Sequence, residues 1–123
     1  MTRTRRSARQ AGTRFERQIA DALAAALGDD RVDRRVKTGS RDRGDVSGVR
    51  IRGQRLVIEC KDTTTLRLPE WTAEARTGAG NDDALCGVVV HKRRGVSDPM
   101  RQWVSMTLAD LVALITGEPV GLE

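Results

Sequence analysis

Apolar residues recur at helical spacing early in the chain: Phe15, Ile19, Ala22, Leu23, Ala26 and Leu27 fall on one side of a 3.6-residue repeat that stops at Gly28. This pattern predicts an amphipathic helix over residues 12–27. Alternation then takes over. Residues 32–38 read as a charged edge strand and 39–44 as a loop. Residues 45–51 and Gln54–Lys61 alternate on either side of Arg52-Gly53, which predicts a hairpin. Residues 68–76, with Pro69 in the first turn, predict a second helix broken across 78–83. The most apolar strand, 84–91, is predicted at the centre of the sheet, followed by a basic turn over 92–99 and a strand over 102–106. A last helix over 107–116 carries Leu108, Leu111, Val112 and Ile115 on one side and stops at Gly117. The order α-β-β-β-α-β-β-α predicts an α/β fold, a mixed β-sheet flanked by helices.

The chain has 123 residues, enough for one core and too few for an added recognition domain. Residues 1–11 read as a flexible basic arm and 12–123 as a single domain. No run is long and apolar enough for a membrane span, and the N-terminal arginines lack a following apolar stretch, so the expected location is cytoplasmic. Cys60 and Cys86 both lie in apolar strands and read as buried thiols.

Charge placement says more than charge total. Arginines 3, 5, 6, 9, 14 and 17 stand against one acid, Glu16, and so account for the whole net charge of +5, while the other 16 bases and 16 acids balance. A basic segment ahead of a neutral body points to a polyanion such as nucleic acid, against the alternative of a solvated tail. Arg5, Arg6, Arg9 and Arg14 are the candidate phosphate contacts there. Arg41, Arg43, Lys92, Arg93 and Arg94 join them from loops beside the site described next.

Several mechanisms are excluded by missing residues. There is no Tyr to act as a strand-transfer nucleophile, and the single histidine, His91, rules out multi-histidine metal layouts and reads as structural. No phosphate-binding GxxxxGK[ST] loop occurs, so no nucleotide cofactor is expected. One Phe and two Trp are too few for a base-stacking sheet, and Trp71 and Trp103 read as core or interface anchors.

Carboxylates and lysine remain. In the strand Leu56-Val57-Ile58-Glu59-Cys60-Lys61, Glu59 and Lys61 share one face. Asp45, about as far before the hairpin turn as Glu59 is after it, arrives at the same strand end. Two acids and an ammonium suit Mg²⁺, with Mn²⁺ able to substitute, facing a phosphodiester. Asp45 and Glu59 are the expected metal ligands, the Cys60 carbonyl a further one, and Lys61 the group that positions water or neutralises developing charge. The competing reading makes Glu59 and Lys61 an ordinary surface ion pair. Glu16 lies at the edge of the apolar stripe of its helix, where it can join the acids as a fourth catalytic group and metal ligand. It also completes a Thr13-x-x-Glu16 capping box, the purely structural alternative.

A helical Glu, a Gly-Ser loop, an Asp on a hairpin strand and an apolar-Glu-x-Lys strand followed by a helix and an apolar strand together resemble the PD-(D/E)XK nuclease superfamily, over residues 12–116. Within it the layout is most similar to the archaeal-type and phage Holliday junction resolvases. The resemblance implies a restriction-endonuclease-like fold. It also implies a Mg²⁺-dependent endonuclease of DNA recombination and repair, acting as a homodimer on four-way junctions to leave 5′-phosphate and 3′-hydroxyl ends. Its catalytic positions fall on Glu16, Asp45, Glu59 and Lys61, with Ser40 as a loop serine that helps to bind or cut the strand. Gly44 stands where the motif's name has Pro, and Asp42 competes with Asp45. The rival expectations are another nuclease of the superfamily, of repair or restriction type, and a DNA-binding module without chemistry.

Overall fold

The protein is described by a computed structural model in which residues 3–36, 39 and 41–121 are placed. Its first helix, α1 (Arg5–Leu27), starts well before the predicted Gly12, so the segment expected as a flexible arm forms the helix's first turns. Thr4 caps it by accepting the Ser7 amide at 3.0 Å, and Gly28 ends it in the left-handed conformation. Thr13 and Glu16 lie mid-helix, which removes the capping-box reading. Phe15, Ile19 and Ala20 are buried from this helix, as the apolar repeat predicts.

Five strands follow one another across the sheet: β1 (Asp33–Arg34), β2 (Val46–Ser47), β4 (Gln54–Lys61), β5 (Cys86–His91) and β6 (Trp103–Ser105). A sixth, β3 (Arg50–Ile51), pairs with β4 alone. The β4–β5 pair is parallel and the others are antiparallel, so the sheet is mixed. A parallel pair needs a crossover, and helix α2 (Leu68–Asn81) supplies it. The third helix, α3 (Leu108–Thr116), opens on a capping box between Thr107 and Asp110. The α/β class and the alternation of elements agree with the sequence pattern; the predicted strand 45–51 is divided into β2 and β3.

That division sets the register of the candidate site. Arg50 faces Arg55 and Ile51 faces Gln54 around a two-residue turn in which Arg52 and Gly53 both have positive φ, as the hairpin signal predicts. Val46, however, faces Ile58. Between these pairs the outer chain uses one residue more than β4, so a bulge falls in Ser47-Gly48-Val49. Gly48 has φ +89°, and a Cβ there would lie 2.4 Å from the Arg31 carbonyl oxygen, so no other residue fits without movement. Just beyond Val46, Asp45 bonds through its amide to the Ile58 carbonyl and through its side chain to the Cys60 amide, which brackets Glu59 on β4.

Core side chains occupy both faces of the sheet. Ile58, Cys60, Val88 and Val90 pack with Phe15 and Ile19 of α1, whereas Val89 packs with Trp71 and Ala75 of α2. All of β5 is buried, but the middle of the five strands is β4, and β5, expected at the centre, lies between β4 and the terminal β6. The predicted break over 78–83 falls only at its end: α2 runs through Gly78 to Asn81 before the turn at Asp82, and at Gly78 a Cβ would meet Val57 Cγ1 at 3.2 Å and the Gly44 amide nitrogen at 3.3 Å. Gly78 permits close packing here and does not end the helix. A short 3₁₀ turn at Pro99–Arg101, absent from the sequence reading, precedes β6.

The sequence pattern leaves open what the apolar side of the last helix meets. Leu108 and Ile115 are 74% and 64% exposed, and Leu111 and Val112 are also turned outward, while Asp110 and Ala113 face the protein. Ala113 and the partly buried Leu114 pack with Leu85 and Cys86, while the side formed by Leu108, Leu111, Val112 and Ile115 stays out of the core. Among the described residues no helix is long and apolar enough to cross a membrane. Cys60 and Cys86 are buried free thiols, and burial pushes Cys86 up to about 11.

Candidate active site

Asp45 and Glu59 are both buried, at 6% and 3% exposure, an uncommon condition for carboxyl groups. Backbone bonds hold Asp45 in place: its amide donates to the Ile58 carbonyl and its carbonyl accepts from the Arg35 amide, each at 2.8 Å. Its Oδ2 accepts the Cys60 amide, also at 2.8 Å. The bulged strand is therefore locked to β4 at the point where its acid meets the next strand. Cys60 brings its N–H to this site.

Glu59 is the strained member. Its Oε1 is sealed from water and has no hydrogen-bond donor. Asp45 and Asp42 stand within hydrogen-bonding reach, but as carboxylates they offer charge and no proton. Burial first, then the charges of Asp45 and Asp42, push the Glu59 carboxyl up to about 9. Asp42 thus joins Asp45 at Glu59, and the two are not alternatives. The signal available in the sequence is the three-residue spacing of the two aspartates around Gly44. Asp42 is oriented by the Gly44 amide, which donates to its Oδ1 at 2.9 Å, and by Asn81, whose Nδ2 donates to its carbonyl at 2.6 Å.

Gly44, just before Asp45, takes a conformation closed to proline. Its φ is +89°, far from the value that a pyrrolidine ring imposes, and a Cβ would lie 2.8 Å from Val57 Cγ1. This left-handed turn delivers Asp45 to the sheet.

Lys61 ends the same face of β4. Its Nζ donates to Glu74 Oε2 of α2 at 2.6 Å. Burial opposes its ammonium, but the Glu74 hydrogen bond and the charges of Glu74, Glu59 and Asp45 outweigh it and hold Lys61 above its ordinary value. The surface pair that competes with catalysis in the sequence reading is thus Lys61 with Glu74, not Lys61 with Glu59. Glu74 went unnoticed in the sequence, where only its position one turn beyond Trp71 on a helix hints at a sheet-facing role.

Glu16 meets Arg34 of β1, whose Nε donates to Oε2 at 2.7 Å. Its charge nevertheless reaches the Cys60 thiol, which burial, then Asp45, Glu16 and Glu59, hold well above the ordinary range. Ser40 lies outside the described residues. Arg5, Arg6, Arg9, Arg14, Arg41 and Arg43 are all exposed. Arg6, Arg9 and Arg14 line one shallow concavity along α1. Arg3 donates to the Asp62 carbonyl at 2.8 Å, tying the start of this basic helix to the loop just after Lys61. His91 is buried against Trp71 and shares a 2.7 Å hydrogen bond with Ser105. Burial lowers its proton affinity.

Among the described residues no three His, Cys, Asp or Glu side chains form a group that by itself holds a metal ion. Two buried carboxylates, one with an unpartnered oxygen, nonetheless fit a hard divalent cation. Mg²⁺ commonly takes one or two carboxylates and fills its remaining positions with water and substrate phosphate. The chain matches no family model, no curated protein and no solved structure.

Proposed function

We propose that the protein is a metal-dependent DNA endonuclease with a restriction-endonuclease-like fold, acting on four-way junctions as a Holliday junction resolvase of the PD-(D/E)XK type. The observation that carries this reading is the buried, unpartnered Glu59 oxygen beside Asp45 and Asp42 on the face that ends in Lys61. Two buried acids with the exposed Asp42 beside them are unfavourable until a cation intervenes, and a phosphate-binding protein without chemistry gains nothing from them. Asp45 and Glu59, with the Cys60 carbonyl, would hold Mg²⁺ or Mn²⁺. When bound, the ion supplies Lewis acidity toward the phosphoryl oxygen and a lowered pKa for water.

The chain's own residues do the rest. Asp45 is oriented by the Cys60 amide, so its second oxygen is directed without rotamer search. Lys61, kept protonated by Glu74, is placed to neutralise charge growing on the scissile phosphate or to orient the attacking water. Glu16 approaches from α1 as a fourth acid once Arg34 is drawn toward a phosphate. Ser40 is assigned its strand-contact role by the motif alone. The exposed arginines of α1 and of the Arg41–Arg43 loop provide sequence-independent backbone contacts. A homodimer with two sites would make paired cuts across a junction, and the outward apolar side of α3 supports self-association.

Cleavage of a labelled four-way junction and of a linear duplex of the same sequence, each in Mg²⁺ and in EDTA, tests the reading. Symmetric nicking of the junction alone, abolished by EDTA and by Glu59→Ala, is the expected result. Equal cutting of both substrates assigns the site to another nuclease of the superfamily, and metal-independent binding without cutting assigns it to a binding module.

A further inference from the structure

Beside Lys61 a cavity of about 470 Å³ runs across the ends of β4 and β5 to β6. Every charged side chain on its wall is a cation, four in all, including Lys61, Arg93 and Arg94. Its aromatic groups are Trp71, His91 and Trp103. The Trp71 and His91 rings stand 5.4 Å apart, and Arg93 lies over the Trp103 ring at 4.4 Å. Trp103 is half exposed, so the stacked Arg93–Trp103 pair presents a planar surface to the solvent side. Arg94 is fixed by donating to the Thr63 carbonyl at 2.7 Å.

From this arrangement we infer that the cavity is a binding site for one unpaired nucleotide of the DNA strand next to the phosphate at Lys61. The inference rests on the nuclease reading for which phosphate is cut, though not for the binding itself. Cations without a carboxylate on the wall select an anion, and flat aromatic and guanidinium surfaces select a base in place of a bare phosphate. The volume matches a single small ligand and is far too small for a duplex. A base enters only after leaving its stack, which is easiest at a junction, flap or single-stranded end. The pocket therefore supplies a structural basis for preferring branched DNA over continuous duplex.

Both tryptophans of the chain line the cavity and the chain has no tyrosine, so intrinsic fluorescence reports this site alone. The full-length protein is titrated in EDTA, where no cutting takes place, with a 5′-phosphorylated thymidine tetranucleotide and with a closed duplex lacking unpaired bases. Saturable quenching by the tetranucleotide and much weaker quenching by the duplex are expected. Trp103→Leu, read through Trp71, and Arg93→Ala should each weaken binding about tenfold. Arg93→Lys, which keeps the charge, should also weaken it. Unchanged fluorescence with the tetranucleotide, equal quenching by the duplex, or unaltered binding by Trp103→Leu would overturn the inference. A protein that quenches but never cuts loses the nuclease reading and keeps the pocket; one that cuts but does not quench loses the pocket.

Discussion

The ammonium of Lys61 sits 2.6 Å from the carboxylate of Glu74, joining the end of β4 to the middle of α2. The pair holds the lysine charged and in place while no phosphate is present. Glu74 is 45% exposed, so its contribution to stability is small, about 1 kcal/mol or less. Glu74→Gln should unfold at nearly the wild-type urea midpoint, yet let the Lys61 pKa drop. Lys61→Met should remove cleavage by at least a hundredfold while still binding a junction. A Glu74→Gln enzyme with an unchanged pH–rate profile would show that the pair does not tune Lys61.

Glu59 leads to a pH prediction whose sign follows from its raised affinity for protons. The metal-free folded chain keeps a proton on Glu59 up to about 9, whereas the unfolded chain releases it near 4.5. Stability contributed by this group is complete below the lower value, falls as pH rises between the two, and falls no further above the upper one. In EDTA the melting temperature should therefore decline across this window, and Glu59→Gln should flatten the decline while abolishing cleavage. Mg²⁺ should raise the wild-type melting temperature more at alkaline than at acidic pH and leave the Gln variant nearly unaffected. Calorimetry over the pH series measures each of these.

Gly48→Ala tests the bulge. The added methyl meets the Arg31 carbonyl at a backbone angle that alanine avoids, so a loss of about 2 kcal/mol or more is expected in urea unfolding. Because Gly48 lies three residues from Asp45 on the same bulged strand, folded Gly48→Ala should also bind Mg²⁺ more weakly. Gly53→Ala lies in open space and serves as the control at another positive-φ glycine, with a loss confined to local strain.

If α3 is the self-association surface, Leu111→Ser combined with Ile115→Glu should convert a dimer to a monomer in sedimentation equilibrium, with little loss of monomer stability because both side chains are already exposed. Wild-type protein that sediments as a monomer at micromolar concentration would remove the homodimer from the proposal.

Much of this protein is written in its local pattern. The repeat of Phe15, Ile19 and Leu23, the stops at Gly28 and Gly117, the Arg52-Gly53 turn and the shared face of Glu59 and Lys61 all follow from periods of 3.6 and 2 and from backbone preferences within a few residues. Tertiary structure decided what depends on distant partners. Hairpin counting alone sets Val46 opposite Glu59, and the bulge moves it onto Ile58 at a Gly48 whose close approach to the Arg31 carbonyl leaves no room for a side chain. Asp42 joins the acids through a turn fixed by Gly44 and Asn81, Glu74 reaches Lys61 because α2 packs closely at Gly78, and Glu16 meets Arg34 across the β1 edge. The apolar side of α3 carries a helical period but no address, since periodicity records that a face is apolar and only packing determines what that face meets.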